Sequence, residues 1–201
     1  MAIDLNILYS PNKILPHLIP LAKHNSAIHG VAHWTRVHRY GLLLAATLGL
    51  SESEKVTIAL FAWTHDLART DDGGGNQHAI DGAKYVEVLT STLFTNFPED
   101  TLDIVRHAIR YHSDGMNAEE ALYELPIEQY STWTRETILN TLGCCWDADR
   151  LDLLRLGIVP HEAKMSTPYW HEVLPLAAKL NKQMALIEDN ETSNMEDWFA
   201  K

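Results

Sequence analysis

The chain has 201 residues, of which 46% are hydrophobic and 21% are charged, and its formal net charge is −11. These proportions are typical of a soluble globular protein, and the length suits a single domain. The excess of acidic residues argues against the extended basic surface that nonspecific nucleic-acid binding requires.

Membrane insertion and export are not indicated by the sequence either. No apolar run approaches the roughly 18 residues that a membrane-spanning helix needs. Residues 1–6 contain no basic region followed by a hydrophobic segment, so the cytoplasm is the expected compartment. Adjacent cysteines rarely bridge each other, and Cys144 and Cys145 are expected to pack as small hydrophobic side chains.

Hydrophobic spacing and start and stop signals predict helices throughout the chain. They are expected at residues 10–24 (short or broken by three prolines), 31–48, 51–66, 78–94, 102–112, 146–157 and 170–188. Residues 69–77 are expected to form a glycine-rich loop, and residues 116–134 are expected to form short helical pieces or a surface excursion. No strand-like alternation or hairpin signal is present, so the predicted fold is all-α.

The predicted domain covers residues 1–201 without a linker that would divide it. Its core is expected at about residues 25–160, followed by the last helix and a loosely ordered tail at 190–201.

The dipeptide His65-Asp66 lies at the end of an apolar run that begins at Val56. Burial of both side chains requires compensation, and a divalent cation bound by both would provide it. The alternative is a core histidine bonded to a backbone carbonyl and an aspartate that caps the next segment.

Two further polar side chains are expected to point inward. His33 lies on the second helix, and Asp149 shares one face of a regular helix with Leu153 and Leu156. Two imidazoles and two carboxylates form a mixed nitrogen and oxygen set that suits Mn, Fe, Co, Ni, Zn or Mg. Asp147 competes with Asp149 for the last position because it lies only two residues away.

The order of these residues resembles the HD-domain superfamily of metal-dependent phosphohydrolases, and more narrowly a bacterial group of small stand-alone HD proteins. The segments that match the superfamily are His33-Trp34-Thr35-Arg36-Val37, His65-Asp66-Leu67-Ala68-Arg69 and Ala148-Asp149-Arg150-Leu151-Asp152. Those that resemble the narrower group are Ile28-His29-Gly30-Val31-Ala32-His33-Trp34, Ala108-Ile109-Arg110-Tyr111-His112-Ser113-Asp114-Gly115 and Cys145-Trp146-Asp147-Ala148-Asp149-Arg150-Leu151-Asp152-Leu153.

The resemblance implies a helical bundle with a metal site between its central helices. The metal ligands that it implies are His33, His65, Asp66 and Asp149, with His78 and His112 as candidates for a second metal. It favours Asp149 over Asp147 because the family carboxylate directly precedes a basic residue. The alternatives for His78 and His112 are polar residues at a helix start and a helix end. His29 and His107 are expected to be structural or to orient the ligands.

The implied activity is hydrolysis of a phosphoester or phosphoanhydride in a small phosphorylated molecule, most plausibly a nucleotide. Asp66 would bridge two metals or orient the attacking water, and Arg36 and Arg69 would bind phosphate. Arg150 and Arg155 are expected to form ordinary ion pairs with surface acids. Arg69 occupies the region where the nucleotidase branch of the family places a glutamate, which weakens a nucleoside-monophosphatase assignment.

Two other functions fit the same residues. One is a di-iron oxygenase of the HD type that cleaves C–C or C–P bonds, which His78 and His112 would permit. The other is a noncatalytic binding module stabilised by metal. The sequence leaves substrate, physiological metal and oligomeric state open.

Overall fold

A computed structural model describes residues 2–188, and the predicted loose tail at 190–201 lies outside them. These residues form helices and no strand, which confirms the all-α prediction for this part of the chain. The α-helices are α1 (Leu5–Leu8), α2 (Pro11–Leu18), α3 (Val31–Thr47), α4 (Glu52–Thr64), α5 (Gln77–Thr90), α6 (Glu99–Tyr111), α7 (Ala118–Ala121), α8 (Arg135–Leu151) and α9 (Trp170–Glu188). Short 3-10 helices lie at Ile19–Leu21, Leu122–Glu124, Ile127–Gln129, Asp152–Leu156 and Glu162–Lys164.

Local signals set several helix ends as predicted. Ser51 accepts a hydrogen bond from the backbone of Glu54, whose side chain accepts from the backbone of Ser51, so α4 begins with a capping box. Gly49 follows α3 with a φ of +67°, a backbone conformation that glycine adopts without a steric penalty.

The chain departs from the predicted helix pattern after residue 151. The helix predicted over 146–157 begins earlier, at Arg135, and ends at Leu151, and Asp152–Leu156 continue as a 3-10 helix. A 3-10 helix has three residues per turn, so the expected shared face of Asp149, Leu153 and Leu156 does not continue past Leu151. Leu156 is accordingly 46% exposed, and its predicted core position was wrong.

The core is built around α4. Every residue from Val56 to Ala68 is buried, and α3, α6 and α8 pack around this segment. Gly41 allows α3 to come close, because a Cβ atom there would lie 2.6 Å from Cγ2 of Ile58. The part of α4 that leads to His65 is therefore enclosed by other helices, as its uninterrupted apolar sequence indicates.

Two of the buried indoles in this core are hydrogen-bonded to backbone carbonyls. The indole Nε1 of Trp63 donates to the carbonyl of Leu8 at 2.9 Å, and that of Trp146 donates to the carbonyl of Ala108 at 2.9 Å. Cys144 and Cys145 are fully buried, as expected of small hydrophobic side chains, and burial raises the pKa of both thiols.

None of the helices within residues 2–188 has both the length and the apolar composition needed to cross a lipid bilayer.

Candidate metal centre

Five helix ends converge on one buried group of histidines and aspartates. The contributing positions are His33 in the first turn of α3, His65 and Asp66 directly after α4, His78 in the first turn of α5, His112 directly after α6, and Asp149 in the last turn of α8. The structure thus brings together all six residues that the sequence suggested as metal ligands.

The first cluster contains His33, His65, Asp149 and one oxygen of Asp66. Nε2 of His33 lies 3.0 Å from Nε2 of His65 and 3.4 Å from Oδ1 of Asp149. Oδ2 of Asp66 lies 3.5 Å from Nε2 of His33 and 3.6 Å from Nε2 of His65. The side chain of Asp149 is 24% exposed, whereas the other three are at most 2% exposed. Oδ2 of Asp66 and Oδ1 of Asp149 thus each approach the two imidazole nitrogens, and the cluster is most exposed at Asp149.

Hydrogen bonds on the far side of each ring determine which nitrogen faces this cluster. Nδ1 of His65 lies 3.1 Å from the carbonyl oxygen of Ala62, and Nδ1 of His33 lies 2.7 Å from Oδ2 of Asp152. Carbonyl and carboxylate oxygens accept, so both Nδ1 atoms carry protons. The two Nε2 atoms of neutral rings then present lone pairs to each other, and a proton or a metal ion must lie between them.

Without a metal, a proton on His33 meets this requirement. Burial lowers the pKa of His33, but hydrogen bonds to Asp149 and Asp152 outweigh it and raise the pKa to about 9. Burial lowers the pKa of His65 to about 4, so this ring stays neutral. Burial also acts to raise the carboxyl pKa of Asp66 and Asp149, but the surrounding imidazoles hold both below the usual range.

The second cluster contains His78, His112 and the other oxygen of Asp66. Oδ1 of Asp66 lies 3.6 Å from Nε2 of His78 and 3.8 Å from Nε2 of His112, and these nitrogens are 3.1 Å apart. Nδ1 of His112 donates to the carbonyl of Ile109 at 2.7 Å, which directs its Nε2 into the cluster. Asp66 thus faces one cluster with each of its oxygens.

Gly82 brings α5 close enough to complete the second cluster. A Cβ atom at Gly82 would lie 3.1 Å from the carbonyl oxygen of His65. His78 precedes Gly82 by four residues and lies on the same helix face, so the close approach carries its imidazole to Asp66.

Asp147 points away from both clusters. Its carboxylate accepts hydrogen bonds from the backbone N–H groups of Ser166 and Thr167 at 2.9 and 2.7 Å, and from the hydroxyl of Thr167 at 2.7 Å. Asp147 therefore fixes the segment that precedes α9, and the geometry favours Asp149 as the ligand.

Arg36 contacts the centre through Asp152. Its Nε donates to Oδ1 of Asp152 at 2.5 Å and its Nη2 donates to Oδ2 at 3.1 Å. Asp152 is fully buried and also hydrogen-bonds to His33. Arg36 therefore supports a carboxylate that orients a candidate ligand, and phosphate binding by Arg36 stays a prediction.

Arg69 lies against the second cluster. Its Nε donates to Oδ1 of Asp66 at 3.2 Å, and its Nη2 lies 2.9 Å from Nε2 of His78. Phosphate binding by Arg69 likewise stays a prediction.

The surface ion pairs expected of Arg150 and Arg155 are not present. Arg150 donates to the backbone carbonyls of Met116 and Lys164. Nη1 of Arg155 lies 2.9 Å from the carboxylate of Asp152, an acid that is fully buried. Arg150 also lies 3.9 Å from the carboxylate of Asp147, so both arginines face buried acids instead of surface acids. The predicted partners were wrong because spacing along the chain does not show which acids the fold turns inward.

Sequence reasoning missed the roles of Asp152 and Ser113. Asp152 follows Asp149 by three residues, a spacing that places it beside the centre. However, an acid three residues before an arginine, as Asp152 is before Arg155, is also typical of a solvated helix end. The hydroxyl of Ser113 lies 3.0 Å from Nε2 of His78, directly after His112.

His29 and His107 have different surroundings. His107 donates from Nε2 to the carbonyl of Ala121 at 3.1 Å, which is a structural contact. The ring of His29 packs edge-on against His33, with centroids 5.9 Å apart, and its Nδ1 lies 2.9 Å from Asp72 in the glycine-rich loop. His29 therefore lies beside the first cluster.

The donor set fits a divalent metal ion. The first cluster offers two imidazole nitrogens and two carboxylate oxygens, and the second offers two imidazole nitrogens and one carboxylate oxygen. Apart from Asp149, each of these side chains is at most 9% exposed. Comparison with protein-family models, curated proteins and solved structures found no match to this chain. Membership of the HD superfamily therefore stays a prediction that rests on the order of the ligands in the sequence.

Proposed function

We propose that this protein is a metal-dependent hydrolase of small phosphoesters or phosphoanhydrides. The observation that carries the proposal is the convergence of His33, His65, Asp66 and Asp149, whose lone pairs face one another inside the protein. Buried lone pairs in this arrangement are costly unless a proton or a metal ion lies between them, and a divalent ion would be held by all four side chains. The HD-domain resemblance of the sequence supports the same activity.

The ion and the protein side chains would divide the chemistry between them. A bound divalent ion would acidify water and stabilise negative charge on phosphoryl oxygens. His33, His65 and Asp149 would hold the ion, while Asp66 would hold it and orient the attacking water by accepting a hydrogen bond from it. The partly exposed side of Asp149 offers access for a substrate.

A nucleotide is the substrate class that we propose. The guanidinium of Arg69 lies within hydrogen-bond distance of Asp66, so a phosphate at the centre would meet a positive group. The nucleotidase branch of the HD superfamily usually has a glutamate in the region of Arg69, which weakens the case for a nucleoside monophosphate as the substrate. Nucleoside polyphosphates and cyclic nucleotides are therefore the first compounds to test.

The test is a metal-supplemented screen for phosphate release. Mononucleotides, nucleoside polyphosphates, cyclic nucleotides and general phosphoesters would be incubated with the protein and each candidate metal. We expect hydrolysis of at least one class, and a loss of at least a hundredfold in Asp66→Ala. A matched control is Asp103→Ala, since Asp103 pairs with Arg106 away from the centre. An unchanged rate in Asp66→Ala would instead favour a noncatalytic binding module.

The second cluster favours one alternative, a di-iron oxygenase. Asp66 could bridge two ions because its two oxygens face separate clusters, each of which contains two histidines. Two irons per chain, together with oxygen uptake and no phosphate release from any phosphoester, would identify that activity.

A further inference from the structure

Arg69 is held in place by three hydrogen bonds from its guanidinium group. Besides its contacts with Asp66 and His78, its Nη1 donates to the carbonyl oxygen of Gly73 at 2.8 Å. The side chain is 9% exposed. Each of its guanidinium nitrogens is thus engaged, and two of the acceptors belong to the second cluster.

The contact with His78 has a direct consequence for metal binding. Nη2 of Arg69 lies 2.9 Å from Nε2 of His78, an atom that His112 and Ser113 also approach, and because a guanidinium group only donates, a hydrogen bond between Arg69 and His78 uses the lone pair of this Nε2. A neutral imidazole has a single lone pair on its unprotonated nitrogen. Coordination of a metal by Nε2 of His78 requires that same lone pair, so it excludes the hydrogen bond from Arg69.

The positive charge of Arg69 also opposes the binding of a second metal ion. The guanidinium is always positive, and it lies beside two of the three atoms that would surround a second ion. A divalent ion at that position would be repelled by Arg69 in a site largely shielded from solvent. The guanidinium already supplies a positive group to Oδ1 of Asp66, which is the oxygen that a second ion would bind.

The first cluster is free of this competition. Arg69 bonds to Oδ1 of Asp66, whereas Oδ2 faces His33 and His65. A carboxylate oxygen also has two lone pairs, so Asp66 can bind an ion on one side while Arg69 stays bonded on the other.

We propose that Arg69 keeps this centre mononuclear by occupying the place of a second metal ion. The inference rests on the proposed metal centre and deepens it. The ion bound by His33, His65, Asp66 and Asp149 coexists with Arg69, whereas an ion at His78 and His112 requires Arg69 to leave. Removal of the guanidinium therefore opens the second site.

The test measures how many ions each chain binds, without substrate. Metal-free protein would be titrated with Mn²⁺ by calorimetry, and bound metal would be counted after equilibrium dialysis. We expect one ion in the wild type and two in Arg69→Met, with the second dissociation constant at least tenfold lower than in the wild type. Arg69→Lys retains the positive charge and is expected to bind one ion.

Two further variants locate the ions. His78→Ala should leave the single wild-type ion in place, and the double variant Arg69→Met/His78→Ala should return to one. Arg106→Met is the matched control, because Arg106 pairs with Glu99 and Asp103 away from the centre. Arg69→Gln replaces Arg69→Met if the latter does not fold, as judged by circular dichroism.

Each outcome decides the inference. Two ions of similar affinity in the wild type, or one ion in a folded Arg69→Met protein, would overturn it while leaving the proposed hydrolase intact. No ion in any variant would overturn the metal centre as well. The expected counts without hydrolysis of any phosphoester would support the inference and contradict the proposed function.

Discussion

Oδ2 of Asp152 lies 2.7 Å from Nδ1 of His33, and this contact sets the orientation of a candidate metal ligand from the side opposite the cluster. The same carboxylate is held by Arg36 and Arg155, so one fully buried acid links two cations to the imidazole. The acid thereby fixes the tautomer in which Nε2 of His33 can bind an ion.

Replacing Asp152 with Asn should weaken both metal binding and folding. The Asp152→Asn variant leaves two arginines without their buried partner, which costs about 3–5 kcal/mol of unfolding free energy. Loss of the orienting carboxylate should lower metal affinity roughly ten- to a hundredfold. Urea unfolding and calorimetric metal titration would measure the two effects.

The matched control for this variant is Asp103→Asn. Asp103 pairs with Arg106, and its side chain is 37% exposed, so its removal should cost no more than about 1 kcal/mol. Equal losses in the two variants would show that Asp152 has no special relationship to His33.

Asp147 and Asp149 provide a second matched pair, two residues apart on the same helix. Asp149→Asn should abolish tight metal binding, since it removes one of the four donors of the first cluster. Asp147→Asn should retain the metal but destabilise the protein by about 1–3 kcal/mol, because backbone donors of Ser166 and Thr167 lose a charged acceptor. Metal counting and urea unfolding of both variants would distinguish them, and the opposite pattern would identify Asp147 as the ligand.

His65→Ala should lower metal content and metal-dependent stability together. A site built from several helices couples ion binding to folding, and free metal at about a hundred times its dissociation constant adds roughly 2.7 kcal/mol. A chelator should therefore lower the melting temperature of the wild type and leave that of His65→Ala unchanged. His171→Ala, at an exposed position on α9, should respond to the chelator like the wild type. Unaltered metal content in His65→Ala would rule out His65 as a ligand.

Acid should destabilise the protein partly through His107. Burial lowers the pKa of His107 to about 4, whereas an unfolded histidine titrates near 6.5. Below about pH 6.5 the unfolded chain therefore binds a proton that the folded protein does not. The corresponding stability is complete above that pH and is lost as the pH falls toward 4.

The His107→Gln variant tests the direction of this pH dependence of stability. Its amide can still donate to the carbonyl of Ala121, but it does not titrate. Urea unfolding between pH 4 and 7 in chelator should show a shallower loss of stability in His107→Gln, by up to about 1.4 kcal/mol per pH unit. A slope identical to that of the wild type would mean that folding does not lower the pKa of His107.

The sequence predicted helices well where the signals are local. The capping box at Ser51 and the left-handed Gly49 depend on neighbouring residues, so their positions were confirmed. The change from α-helix to 3-10 helix at Asp152 was missed. It accompanies packing against α3 and α9, which hydrophobic spacing does not contain.

The candidate ligands were predictable because each one is a polar residue in or beside an apolar segment. The groups that orient these ligands were less predictable. The carbonyls of Ala62 and Ile109 orient His65 and His112, but backbone groups leave no residue-specific mark in a sequence. The contact between Arg69 and His78 depends on how the glycine-rich loop folds back, and no local pattern encodes that path.

Anomalous diffraction from crystals loaded with Mn²⁺ or Co²⁺ tests the central claim most directly. We predict one strong peak within coordination distance of Nε2 of His33, Nε2 of His65, Oδ2 of Asp66 and Oδ1 of Asp149. The same peak should be absent from crystals of Asp149→Asn grown and loaded in the same way. A loaded wild-type crystal with no peak at these four atoms, or with its ion bound elsewhere, would contradict the proposed centre.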